Sequence, residues 1–226
     1  MRYLLSILFV IFYFMPVVSG QPFHAGLMPE LSVSYTWSDH IQQTLKIESA
    51  HDLYHHETGQ FDYSYDQTDI QLYLEGRINP FFKTAGGYQY RLNGDGDNSH
   101  RMIQQVAFLQ RKTGFRLGHR LRTDQTINSS DPVNWRFRYR LSAEIPLEGQ
   151  SLDAGEIYLL LSGEPIYSLQ DASSNLEARL TTSLGYSINN TSNLEMGLDY
   201  RMTSLLDNLS RQIVWLRLGW YYHILK

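Results

Sequence analysis

The chain contains no cysteine. That excludes a disulfide framework, a thiolate nucleophile and any zinc or iron–sulfur site with cysteine ligands. Charge is sparse as well: Asp, Glu, Lys and Arg make up 19% of the 226 residues, while aromatic residues reach 13%. A disordered chain needs the opposite balance. A mean hydropathy of −0.34 excludes a bundle of membrane helices, which would require several long apolar runs. The formal charge of −4 gives no global attraction for nucleic acid, and no such partner is expected. Also missing are a Gly-x-Ser-x-Gly elbow, a His-Glu-x-x-His pair and a phosphate-cradling glycine loop. No catalytic residue, resident metal or cofactor is therefore assigned. Sites built from separate strands leave no such motif, so an envelope enzyme stays open as an alternative.

One apolar run is present. Arg2 precedes an uncharged, mostly apolar stretch from Tyr3 to Val18, and Val18 and Gly20 occupy small-residue positions. This pattern predicts a secretory signal over residues 1–20, cut before Gln21, with residues 21–226 as one exported domain. A retained N-terminal anchor is the alternative reading of the same stretch.

From about Leu31 onward the dominant period is two, the mark of a strand with unlike faces. Leu194, Met196, Leu198, Tyr200 and Met202 alternate with Glu195, Gly197, Asp199, Arg201 and Thr203. Trp135, Phe137, Tyr139, Leu141, Ala143 and Ile145 alternate with Arg136, Arg138, Arg140, Ser142 and Glu144. Val214, Leu216, Leu218, Trp220, Tyr222 and Ile224 oppose Arg211, Arg217, Gly219 and His223. The stretch Arg101–Arg111 is ambiguous, since Met102, Val106 and Phe108 face one way and Ile103, Ala107 and Leu109 the other. A bulge or burial on both sides would account for it. Short turns at Asn79-Pro80, Lys112–Gly114 and Asn189–Ser192 alternate with longer polar stretches at His51–Gln67, Asn93–His100, Thr126–Val133 and Ser168–Asn175. Tight turns on one rim and longer loops on the other are what an antiparallel transmembrane β-barrel predicts.

In such a barrel the apolar face meets lipid and the polar face lines the interior. Trp37, Trp135, Trp220, Tyr35, Tyr88, Tyr90, Tyr186, Tyr200 and Tyr222 all fall on the apolar phase, several toward strand ends where an aromatic girdle would sit. The alternative is a soluble, exported β-sheet protein that binds a ligand and turns its apolar face inward. The inward phase of the barrel gathers Arg116, Arg120 and Arg122 from one strand and Arg136, Arg138 and Arg140 from the next. Antiparallel pairing would place these six guanidinium groups on one surface. Glu144, Glu156, Glu164, Glu195 and Asp199 share that phase as partners, with Arg179, Arg201 and Arg217 completing the lumen charge network. Such a lattice serves as structural filling or as the lining of a narrow pore for a small anionic solute.

The last strand carries a further pattern. Arg217, Gly219, Tyr222 and Ile224 resemble the C-terminal signal read by the bacterial outer-membrane insertion machinery: a polar residue, a glycine two later, then apolar residues three and five beyond it. Bacterial barrels favour even strand numbers. About ten strands result if Leu31–Ser49 is one continuous strand. A turn at Ser38-Asp39 with an extra strand near Phe23–Met28 makes about twelve.

The cluster Gly118-His119-Arg120-Leu121-Arg122 with Asp124-Gln125, then Trp135 through Leu141, Glu164, Arg179 and Gly185-Tyr186, resembles the bacterial outer-membrane family catalogued as domain of unknown function 2490. The resemblance implies a β-barrel in the outer membrane, with membrane lipid and the insertion machinery as its partners. It implies no activity.

Two polar clusters read more simply as loops. His51, Asp52, His55, His56 and Glu57 would need a helix to converge on a metal, and nothing promises one. Asn93-Gly94-Asp95-Gly96-Asp97-Asn98 alternates oxygen ligands like a calcium loop, but Gln104 stands where the bidentate Glu belongs, so a glycine-rich turn is expected.

Overall fold

The computed structural model describes residues 23–55, 60–129, 131–207 and 210–225. The expected signal segment, residues 1–20, lies outside them. Among the described residues the chain forms eleven strands: β1 (Phe23–Ser38), β2 (Ile41–His55), β3 (Gln60–Asn79), β4 (Phe82–Asn93), β5 (Ser99–Lys112), β6 (Phe115–Ile127), β7 (Asn134–Pro146), β8 (Ile157–Gln170), β9 (Ser173–Asn189), β10 (Ser192–Thr203) and β11 (Arg211–Ile224). Each pairs antiparallel with its sequence neighbour, and β1 closes onto β11 to make a barrel. The closing pair is parallel, running in register from Phe23↔Gln212 to Tyr35↔Ile224. An odd number of up-and-down strands forces this, because the first and last then point the same way.

The strand number differs from the ten read off the sequence, and the reason is local. Asp39 and His40 form a two-residue turn, so Leu31–Ser49 is two strands rather than one. A two-residue turn alone would exchange odd and even positions between the faces. A bulge between Thr36 and Ser38 shifts the register by one, so Thr36 pairs with Gln42 and the odd residues stay outward through the turn. The same device precedes the turns at Pro80-Phe81 and Asn190-Thr191. Phe23–Met28 is the start of β1, not a separate strand.

Two of the expected long loops are mostly strand. β2 runs to His55 and β3 begins at Gln60, so His51–Gln67 is chiefly a hairpin stem; His56 and Glu57 lie outside the described residues. β8 and β9 are joined by Asp171-Ala172 alone, Asp171 adopting a φ of 52°. The rim expected to carry only tight turns has one long connection, residues 147–156 between β7 and β8. Arg101–Arg111 shows no register shift: Met102, Val106 and Phe108 are exposed outside, while Ile103 is buried inside.

The faces are sorted as the alternation predicts. Leu194, Met196, Leu198, Leu216, Leu218, Trp135, Phe137, Leu180 and Leu184 are exposed on the outside, along with Trp37, Trp220, Tyr186 and Tyr222. Arg101, Arg122, Arg138, Asp69, Asp124, Glu30, Glu164 and Asp199 are buried inside. Inside the barrel Trp215 packs with Met28, Ala50 and Ile213 as a small apolar plug. Gly26 makes room for it: a Cβ there would fall 2.5 Å from the Trp215 ring and 2.2 Å from the His51 carbonyl oxygen.

Candidate functional site: an arginine-rich lumen

The arginine positions on β6 and β7 alternate with outward residues, so their side chains enter the lumen together. Antiparallel pairing sets Arg120 opposite Arg140 and Arg122 opposite Arg138, two like-charge pairs that repel. The same register sets Arg136 opposite Asp124 and Arg116 opposite Glu144, with Arg116 and Glu144 in direct contact.

Two carboxylates organise the wall. Asp124, 0% exposed, accepts from Arg122 Nε at 2.6 Å, Arg136 Nη2 at 2.9 Å and Arg138 Nη1 at 3.3 Å. Glu164, 2% exposed, accepts from Arg138 Nη2 at 2.7 Å, Arg140 Nη2 at 2.8 Å and Arg120 Nη2 at 3.0 Å. Arg138 bridges the two because its planar fork presents donors in both directions. Glu164 is followed by Pro165, which has no amide hydrogen, and the β7–β8 ladder is interrupted there between Arg138↔Ile166 and Leu141↔Gly163. Arg122 also donates to the Tyr73 hydroxyl of β3 at 3.1 Å, reaching across the lumen. Arg101 donates to Gln89 at 3.1 Å and Thr126 at 2.8 Å, and contacts no carboxylate among the described residues.

The opposite wall is built from local pairs. Glu30 accepts from Arg217 at 2.7 Å and meets Lys46 at 3.0 Å, tying β11 and β2 to β1 across the closing seam. Lys46 also meets Glu48 at 3.0 Å. Arg201 pairs with Asp199 at 2.6 Å and lies 6.0 Å from the Trp215 ring centroid. Arg179 pairs with Glu177 at 2.5 Å, and on β4 Arg91 takes Asp69 with both arms at 2.6 and 2.7 Å.

Most of the sequence-derived network residues therefore line the interior, with two corrections. Glu156 is not in the lumen; it lies in the connection before β8 and accepts from the Asp153 amide at 2.9 Å. Glu195 is inward but takes the Tyr158 hydroxyl at 2.9 Å instead of an arginine. It lies between Gly185 and Gly219 on the neighbouring strands, and Tyr158 folds over Gly185 where a Cβ would meet its ring at 2.1 Å. Asp124, Glu30, Lys46, Glu48, Asp69, Arg91, Arg101 and Glu177 were missed. Asp124 could have been found, since it continues the even-numbered phase of Arg120 and Arg122.

The residues of the terminal pattern divide by face: Arg217 and Gly219 look inward, Tyr222 and Ile224 outward on β11. His119 also faces outward, sharing a 2.8 Å hydrogen bond with the Tyr139 hydroxyl. In the Asn93–Asn98 turn the polar side chains bond the turn itself: Asp95 accepts from the Asp97 amide at 3.0 Å and Asn98 from the Asn93 amide at 3.1 Å. Among the described residues no group of three His, Asp or Glu side chains is arranged to hold a metal.

These features define a closed, up-and-down β-barrel, apolar without and charged within. The chain belongs to the family described as Protein of unknown function (DUF2490), whose family model matches residues 30–212, from β1 into the start of β11. No curated protein and no solved structure matches the chain.

Proposed function

We propose that this protein is a small outer-membrane β-barrel whose charged interior serves as structural filling or as a narrow passage. The observation that carries this is the belt of exposed Leu, Ile, Phe, Trp and Tyr on the outward positions. Water-soluble monomers rarely expose contiguous apolar patches beyond several hundred Å², whereas lipid makes such a belt favourable. The shortest strands have 12 residues, against the roughly 9–11 that a tilted strand needs to cross the hydrocarbon. The signal-like stretch over residues 1–20 supports export to the envelope. In this reading the rim with mostly tight turns faces the periplasm, and Arg217, Gly219, Tyr222 and Ile224 are read by the insertion machinery during assembly.

The interior is crowded. Tyr73, Tyr158, Trp215 and the arginine lattice occupy the lumen, so bulk diffusion is not its task. After fractionation the protein should partition with outer membranes. Unboiled detergent samples should migrate differently from boiled ones, and a planar bilayer should register small conductance or none. Recovery in the aqueous periplasmic fraction would contradict the membrane reading; large stable openings would contradict the filled lumen.

A further inference from the structure

The arginines of β6 and β7 exceed the carboxylates that serve them. Among the described residues five guanidinium groups, Arg120, Arg122, Arg136, Arg138 and Arg140, share only Asp124 and Glu164. A lattice that merely filled space would reach neutrality, as the pairs on the opposite wall nearly do. These arginines border a lumen cavity of about 230 Å³ whose lining includes ten arginines and one lysine against four carboxylates. Asp124 and Glu164 are not among the lining residues.

A second observation concerns the same arginines. Arg138 is 7% exposed, yet its Nε donates to no group among the described residues; the same is true of the Nε of Arg120, Arg136 and Arg140 and, on the opposite wall, of Arg217. Buried donors normally find acceptors. Guanidinium forks match the oxygen geometry of phosphate and carboxylate groups, and rings of arginine line anion pores.

We propose that the lumen is a binding site for a compact oxyanion carrying at least two negative charges, seated among Arg120, Arg138 and Arg140. The cavity is smaller than the roughly 300–1,000 Å³ of pockets for drug-sized ligands, so the ligand is small. The anion supplies the negative charge that this wall lacks and offsets the repulsion between Arg120 and Arg140. This deepens the barrel reading and rests on it for the closed lumen.

The test uses the folded, full-length barrel in detergent, with pyrophosphate and citrate as probes and sodium chloride at matched ionic strength as control. The readout is the temperature at which the fast-migrating folded band is lost. Either probe at saturation should raise it by about 5 °C or more over chloride. The double variant Arg120→Gln with Arg140→Gln should lose that increment. The single variant Arg140→Lys, which keeps the charge but not the fork, should weaken apparent affinity several-fold, so the test survives if the double variant fails to fold. No increment over chloride, or an increment unchanged in Arg140→Lys and the double variant, would overturn the site. Failure of the barrel reading looks different: no heat-modifiable band exists in any buffer.

Discussion

The two halves of the lumen use similar residues to opposite ends. Along β1, β2 and β9–β11, charges meet close to one to one: Arg217 with Glu30, Arg201 with Asp199, Arg179 with Glu177. Along β6–β8, five arginines crowd onto two carboxylates, and like charges stand opposite each other. The first arrangement closes a barrel and needs nothing more. The second is costly unless Asp124 and Glu164 hold it, because a buried charge without a partner is far more expensive than a buried pair is favourable. The lesson is that carboxylate placement, more than arginine content, separates filling from a prospective site.

Breaking the crowded wall should have the largest effect. Glu164→Gln removes the charge that Arg120, Arg138 and Arg140 share, and should cost about 3–5 kcal/mol, read as a lowered denaturant midpoint for loss of the folded band. Glu177→Gln leaves one arginine short of a partner rather than three, so the expected loss is smaller, about 1.5–3 kcal/mol. If the two variants are equally destabilised, the contrast between the walls is wrong. Lys83→Gln marks the lower end. Its pair with Glu75 is partly exposed beside the β3–β4 turn, and an exposed pair contributes less than about 1 kcal/mol. Added salt should abolish that difference, while leaving the Glu164→Gln loss largely intact.

How far the sequence announced this depends on which physical rule each feature obeys. The side on which Leu198 or Arg138 lies follows from strict alternation, so both faces were legible residue by residue. Strand number was not, because the bulge beside the Asp39-His40 turn preserves the very alternation used to detect a break. Glu156 was misplaced since phase counting continued past the true start of β8 at Ile157. The arginine ladder stood out because β6 and β7 concentrate it in consecutive alternate positions. The other wall did not, since Glu30, Lys46, Glu48 and Arg91 are scattered over strands whose pairing only the barrel reveals. The bridging role of Arg138 between Asp124 and Glu164 depends on side-chain reach across three strands, which no spacing rule encodes.

The orientation of the two faces toward lipid can be measured directly at adjacent residues. Trp215 points into the lumen, and Leu216, the next residue of β11, points out at nearly the same depth. With Trp37, Trp135 and Trp220 replaced by Phe, one variant keeps Trp215 and the other carries Trp215→Phe with Leu216→Trp. In vesicles of phospholipid brominated along the acyl chain, fluorescence of the Leu216→Trp variant should be strongly quenched and that of Trp215 left nearly untouched. Equal quenching of both, quenching of Trp215 alone, or none in either would contradict a barrel that turns its apolar face to hydrocarbon.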